Sequence, residues 1–105
     1  MIIVETSVFT RQVRTLLSDD EYSKLQNHLV LNPEAGKIIP SSGGLRKIRW
    51  VGKGLGKRGG NRIIYYWAVQ QDHILMLLIY AKGQQEDLTS DQLKLLKRIV
   101  EEEYP

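Results

Sequence analysis

The chain has 105 residues, of which 42% are hydrophobic and 26% charged, with no cysteine and a formal net charge of +3. That length supports one hydrophobic core and one domain, spanning residues 1–105. The absence of cysteine excludes a disulfide framework and a thiolate metal site or nucleophile, and two histidines, His28 and His73, are too few for a zinc centre.

The opening MIIVETS carries no basic n-region or long apolar run, so no signal peptide is expected. Ile2, Ile3 and Val4 are β-branched and predict a short strand. Thr6 or Ser7 then caps a helix whose apolar residues Phe9, Val13 and Leu16 recur at helical spacing. Ser18-Asp-Asp-Glu21 is a capping box for a second helix, striped by Tyr22, Leu25 and Leu29 and stopped by Asn32-Pro33. Residues 32–44 hold two prolines and three glycines and read as a loop.

From Gly43 to Trp67 the chain changes character. Residues 35–71 contain eight of the 15 lysines and arginines and none of the 12 acids, leaving seven cations against all 12 acids elsewhere. A basic segment on an otherwise acidic domain is a polyanion footprint. Leu45 to Val51 alternates with the period of a strand, Ile48 and Trp50 on one face, Lys47 and Arg49 on the other. Residues 52–60 form a basic, glycine-rich hairpin loop, and residues 61–69 a strand with Arg62, Ile64 and Tyr66 on one face and Ile63, Tyr65 and Trp67 on the other. After a turn at Gln70-Gln71-Asp72 comes a third strand, His73 to Ala81, on which strict alternation groups Ile74, Met76, Leu78 and Tyr80, and by continuation Lys82. Its apolar run is far below the roughly 20 residues of a membrane helix. Thr89-Ser-Asp-Gln92 caps a last helix striped by Leu93, Leu96 and Val100, whose Glu101, Glu102 and Glu103 oppose the helix dipole and predict a frayed end. The order β-α-α-β-β-β-α predicts an α+β domain: a small antiparallel meander with helices packed on one face.

Gly54-Leu-Gly56-Lys-Arg-Gly59 has the spacing of a dinucleotide-binding loop, but a strand follows it and not a helix. Lys57 is followed by Arg58 and not by Ser or Thr, which excludes a Walker A loop. A loop gripping nucleic-acid phosphates fits Lys53, Lys57 and Arg58 better, and Arg46 and Tyr66 are further candidates for RNA contact, the tyrosine by stacking. The candidate catalytic group is Lys47, Arg49, Arg62, Tyr80 and Lys82, with no histidine or carboxylate expected among them. Arginines stabilise the charge that develops on a phosphate under attack by an RNA 2′-hydroxyl, and proton transfer would fall to a lysine or tyrosine of the group with a depressed pKa. The same cations also suit a plain nucleic-acid-binding face. Trp50 and Trp67 share the phase of Ile48 and Ile63 and are expected in the core.

GGLRKIR, RGGNRIIYY and the IYAKGQQEDLT segment, in this order of elements, resemble the RelE/ParE toxin superfamily, and within it the RelE-like HigB branch, over essentially the whole chain. The resemblance implies a small α+β sheet domain that acts as the toxin of a type II toxin–antitoxin system. It implies ribosome-dependent endonucleolytic cleavage of mRNA in the 30S A site by 2′-hydroxyl attack, with no metal ion or cofactor. On that pattern Lys47 and Arg49 match the basic pair of the first meander strand, Arg62 the arginine facing the scissile phosphate, and Tyr80 and Lys82 the aromatic and basic positions ending the last strand. Where some relatives carry a second arginine, or a catalytic His or Glu, this chain has Gly83 and Gln84. A HigA-like antitoxin with a helix-turn-helix domain, through which operator DNA is reached, is the implied partner, and a cytoplasmic location without membrane contact the implied setting. A ParE-like gyrase inhibitor and a non-catalytic RNA- or DNA-binding module are the alternatives.

Overall fold

The computed structural model describes residues 1–51 and 60–105. The β-branched start forms β1 (Ile2–Glu5), and Thr6 ends it: its Oγ1 accepts the Phe9 N–H and so caps α1 (Ser7–Leu16). Ser18 and Glu21 make the reciprocal capping box that starts α2 (Asp19–Leu31). The two helices are tied to β1 by Glu5, whose carboxylate accepts from Thr10 Oγ1 at 2.6 Å and from the Tyr22 hydroxyl.

The segment expected to be a plain loop contains a two-residue strand, β2 (Lys37–Ile38). It is held by Tyr65, whose hydroxyl donates to the Pro33 carbonyl and accepts the Gly36 N–H, each at 2.8 Å. Gly36 has to be glycine, because a Cβ there would stand 2.8 Å from Tyr65 Cε1 and 3.1 Å from the Lys47 carbonyl. Then come β3 (Leu45–Trp50), β4 (Asn61–Ala68), β5 (His73–Ala81) and α3 (Ser90–Glu103). The sheet runs β1-β5-β4-β3-β2, with β1 parallel to β5 and the other pairs antiparallel. The expected meander is therefore its centre, and the chain order gains one strand.

The α+β class holds, but the helices do not share one face. Phe9, Val13 and Leu17 with Leu25 and Leu29 of α2 pack on Ile63, Tyr65, Ile74, Met76 and Ile79. Leu96 and Val100 of α3 pack on the opposite set, Leu45, Ile64, Leu75, Leu77 and Tyr80. Two-sided burial is why β5 is apolar on both faces. Trp50 and Trp67 lie against the first cluster, as their phase implied. The end of α3 is not frayed: it runs through Glu103, and Tyr104 stacks on Tyr66 with centroids 5.9 Å apart while its hydroxyl meets His73 Nδ1 at 3.0 Å. His73, the first residue of β5 as the alternation predicted, is half-buried.

Strict alternation fails in β5. Ile64 pairs with Leu78 but Tyr65 pairs with Met76, so Leu77 is an extra residue in the ladder. Ile74 and Met76 face α1 and α2, whereas Leu78 and Tyr80 face α3, and the expected grouping of all four is corrected. The Leu77 carbonyl accepts from Thr6 Oγ1 at 2.9 Å, and the Met76 carbonyl from the Thr6 N–H at 3.1 Å. One threonine therefore caps α1 and satisfies the bulge.

Two stability changes follow, both readable in urea melts. Tyr65→Phe should cost about 1–3 kcal/mol, because a buried N–H and a buried carbonyl lose their shared partner. Thr6→Val should cost about 1–2 kcal/mol through the lost cap and the unsatisfied Leu77 carbonyl, while Thr6→Ser should cost less.

Candidate nucleic-acid interface

Antiparallel registry puts directly opposed residues on one face, and the bulge brings the third strand into phase. Arg49 of β3 lies opposite Arg62 of β4, and Arg62 lies opposite Tyr80 of β5. The three form one row across the sheet, on the α3 side. The next row, two residues along, runs from Lys37 of β2 through Lys47 of β3 to Ile64 and Leu78. Lys37, Lys47, Arg49 and Arg62 line one hollow of about 290 Å³, together with Ala35 and Ile48. Like charges directly opposed across strands repel, so each row of cations is kept at a cost in stability.

Lys82 stands just beyond β5, exposed in a turn, and its N–H bonds to the Gly60 carbonyl at 3.1 Å. Gly60 has φ of +60°, which favours glycine, and its Cβ would meet the Trp50 carbonyl at 3.1 Å. Lys82 is thus beside the β3–β4 end of the sheet, two residues past Tyr80 of the arginine row. Lys53, Lys57 and Arg58 lie outside the described residues.

Two sequence candidates do not join the arginine row. Arg46 pairs with Tyr65 and points to the other side, where its Nη1 donates to the Gly36 carbonyl at 2.8 Å and to the Glu34 carbonyl at 3.2 Å. It holds the 34–36 segment. Tyr66 shares the face of Arg62 but lies four residues along the strand, with its ring against Tyr104. Stacking on a base would require that ring to leave.

Two residues missed in the sequence join the site. Lys37 enters through β2, a strand too short to leave a periodic signal. Asp87 enters from the turn before α3: its Oδ1 is 3.1 Å from Lys47 Nζ and accepts the Leu88 N–H at 2.8 Å. The expectation that no carboxylate stands in the patch is therefore corrected. The Leu88 N–H, then Lys47, hold the Asp87 carboxyl below the usual range, with Arg62 adding to the effect. The turn is fixed by Gln85, whose Nε2 donates to the Asp87 carbonyl and to Gln92 Oε1, the same oxygen that caps the Thr89 N–H.

Tyr80 is only 4% exposed, and among the described residues its buried hydroxyl has no hydrogen-bond partner. Burial, reinforced by the Asp87 charge and opposed by Arg62, raises its pKa. The phenol is therefore protonated at neutral pH and suited to donate a hydrogen bond; as a base it is poor. His28 packs on Trp50 across the sheet and His73 on Tyr104, so neither stands beside the arginine row. Among the described residues, no three His, Asp or Glu side chains are grouped to hold a metal ion, and no helix is long and apolar enough to cross a membrane.

No family model matches the chain. Among solved structures it is similar to a chain of the intact E. coli RelBE toxin–antitoxin complex, with a TM-score of 0.59 and 15% identity over 76% of this chain and 94% of that one. It is likewise similar to a mutant of the E. coli toxin RelE in the free state, with a TM-score of 0.58 and 16% identity over 81% of this chain and 86% of that one. Helices on both faces of a five-stranded sheet, and the row of arginines it carries, are thus built on the fold of the toxin RelE.

Proposed function

We propose that the protein is the toxin of a toxin–antitoxin pair and an endoribonuclease that cuts translated mRNA on the ribosome. The observation that carries this reading is the transverse row Arg49, Arg62 and Tyr80, in register on three adjacent strands of a RelE-like fold. In the proposed reaction the RNA 2′-hydroxyl loses its proton as its oxygen attacks the neighbouring phosphorus, the bond to the 5′-oxygen breaks, and that oxygen takes up a proton, so that the products are a cyclic 2′,3′-phosphate and a 5′-hydroxyl. Arg62 and Arg49 donate to the nonbridging oxygens, whose charge grows at the transition state. Such fixed donors need no reorganisation as the charge develops, so most of the rate is assigned to them. Tyr80, protonated and without a partner among the described residues, supplies a further donor once substrate is bound. Lys47 and Lys82 bind the flanking backbone, and Lys53, Lys57 and Arg58 extend the contact along the RNA.

A cognate antitoxin is the proposed protein partner, by analogy with the complex that the similar E. coli chain forms. The sequence resemblance to the HigB branch points to a HigA-like partner with a helix-turn-helix domain. The ribosomal A site is the proposed place of action, in the cytoplasm.

Primer extension on mRNA from cells briefly expressing wild type or Arg62→Ala tests the assignment. Cuts within translated frames should fall by about 10²–10³-fold in the variant, the usual loss for one transition-state donor. Arrested growth with intact mRNA would instead move the reading to gyrase inhibition, which a supercoiling assay reads directly. Tyr80→Phe separates activity from stability. Removing an unsatisfied buried hydroxyl should leave the thermal midpoint unchanged or higher, while cleavage drops by roughly 10²-fold if the hydroxyl donates in the reaction. In an ultraviolet difference titration, the tyrosine missing from Tyr80→Phe should be one that ionises above the ordinary phenol value of about 10.

A further inference from the structure

Lys37 and Lys47 face each other across β2 and β3, one row from Arg49 and Arg62, and all four line a single hollow. Among the described residues Lys37 and Arg49 make no ion pair, whereas Lys47 is met by Asp87. Two adjacent rows of directly opposed like charges repel, and bound anions relieve that repulsion. The rows are separated by two strand residues, about 6.8 Å. Consecutive phosphates of an extended single strand are spaced similarly, so two neighbouring phosphates can each meet one row.

We infer that Lys37 and Lys47 form a second phosphate subsite beside the Arg49–Arg62 row, and that the Asp87 carboxylate occupies this subsite until RNA displaces it. This rests on the proposed RNA-cleaving function and deepens it, by naming where the next phosphate of the chain is held. Asp87 is well suited to the exchange. It is 67% exposed, it reaches Lys47 from a turn, and its single oxygen contact to that amine is one a phosphate oxygen can replace. The turn itself stays anchored, through Gln85 and Gln92, when the side chain swings away. Ala35 and Ile48 complete the lining of the hollow. The strand that carries Lys37 is held in place by Tyr65 and by the Arg46 contacts to the 34–36 segment, so the subsite is preformed.

The test is equilibrium binding of a fluorescent 2′-O-methyl oligoribonucleotide, which lacks the attacking hydroxyl, across a series of salt concentrations. Each phosphate contact to a single strand contributes a slope of about −0.7 in log K against log salt. Lys37→Ala should weaken binding several-fold at low salt and flatten the slope by about that amount. Asp87→Asn should tighten binding several-fold, because no carboxylate competes for Lys47. An unchanged slope in Lys37→Ala would overturn the subsite, and Asp87→Asn binding no tighter than wild type would overturn the carboxylate as its occupant. Arg62→Ala distinguishes this from failure of the larger reading. If Arg62→Ala weakens binding and Lys37→Ala does not, only the second subsite falls. If neither changes binding, the face does not hold RNA and the proposed function falls with it.

Discussion

The register break opposite Ile64 and Tyr65 is the constraint on which the rest depends. Without the extra Leu77, strict alternation from Ile74 and Met76 would turn Tyr80 toward α1 and α2, away from Arg62. With it, β5 presents Ile74, Met76 and Ile79 to one pair of helices and Leu75, Leu77, Leu78 and Tyr80 to the other side. Bulges recur beside active sites because they re-aim a side chain without breaking the sheet. Here the device is held by Thr6, the residue that also starts α1, so the first helix and the candidate site are joined through one side chain.

The second constraint is electrostatic. Hydrophobic burial on both sheet faces supplies the stability that lets two pairs of cations stand directly opposed. Among the described residues Lys47 is met by an ion pair with Asp87, and the Asp87 charge acts on Arg62 as well. That exposed pair contributes little to folding. Its interest lies in where it stands: a carboxylate against the amine of a face otherwise suited to phosphate. The position of Asp87 in turn depends on the capping box of α3, which locks the preceding turn through Gln92 and Gln85. Helix capping, a local device, thereby determines the charge balance of a distant sheet face.

Much was legible in the chain because it depends on neighbours in sequence. Both capping boxes, the helix stripes, the alternation of β3 and β4 and the common face of Lys47 and Arg49 follow from spacing alone. Lys37 was not legible, since a two-residue strand exists only because Tyr65 pins the backbone at 33–36. Arg46 misled because charge says nothing of which carbonyls a guanidinium will find; its partners, Glu34 and Gly36, are 12 and 10 residues away. Asp87 lies 40 residues from Lys47, and no periodicity connects a turn to a strand at that range.

What the sequence by itself determined is the inventory: an α+β chain with capped helices, an uninterrupted basic segment and an arginine-bearing strand pair whose phase follows from the period of two. Tertiary structure alone decided which sheet face receives α3, how the bulge turns Tyr80 toward Arg62, and which carboxylate meets Lys47. The division has a physical reason. Capping and alternation are set by bonds within a few residues, whereas register and ion pairing depend on packing between segments that are distant in the chain. A single extra residue in one strand reverses the face of everything beyond it.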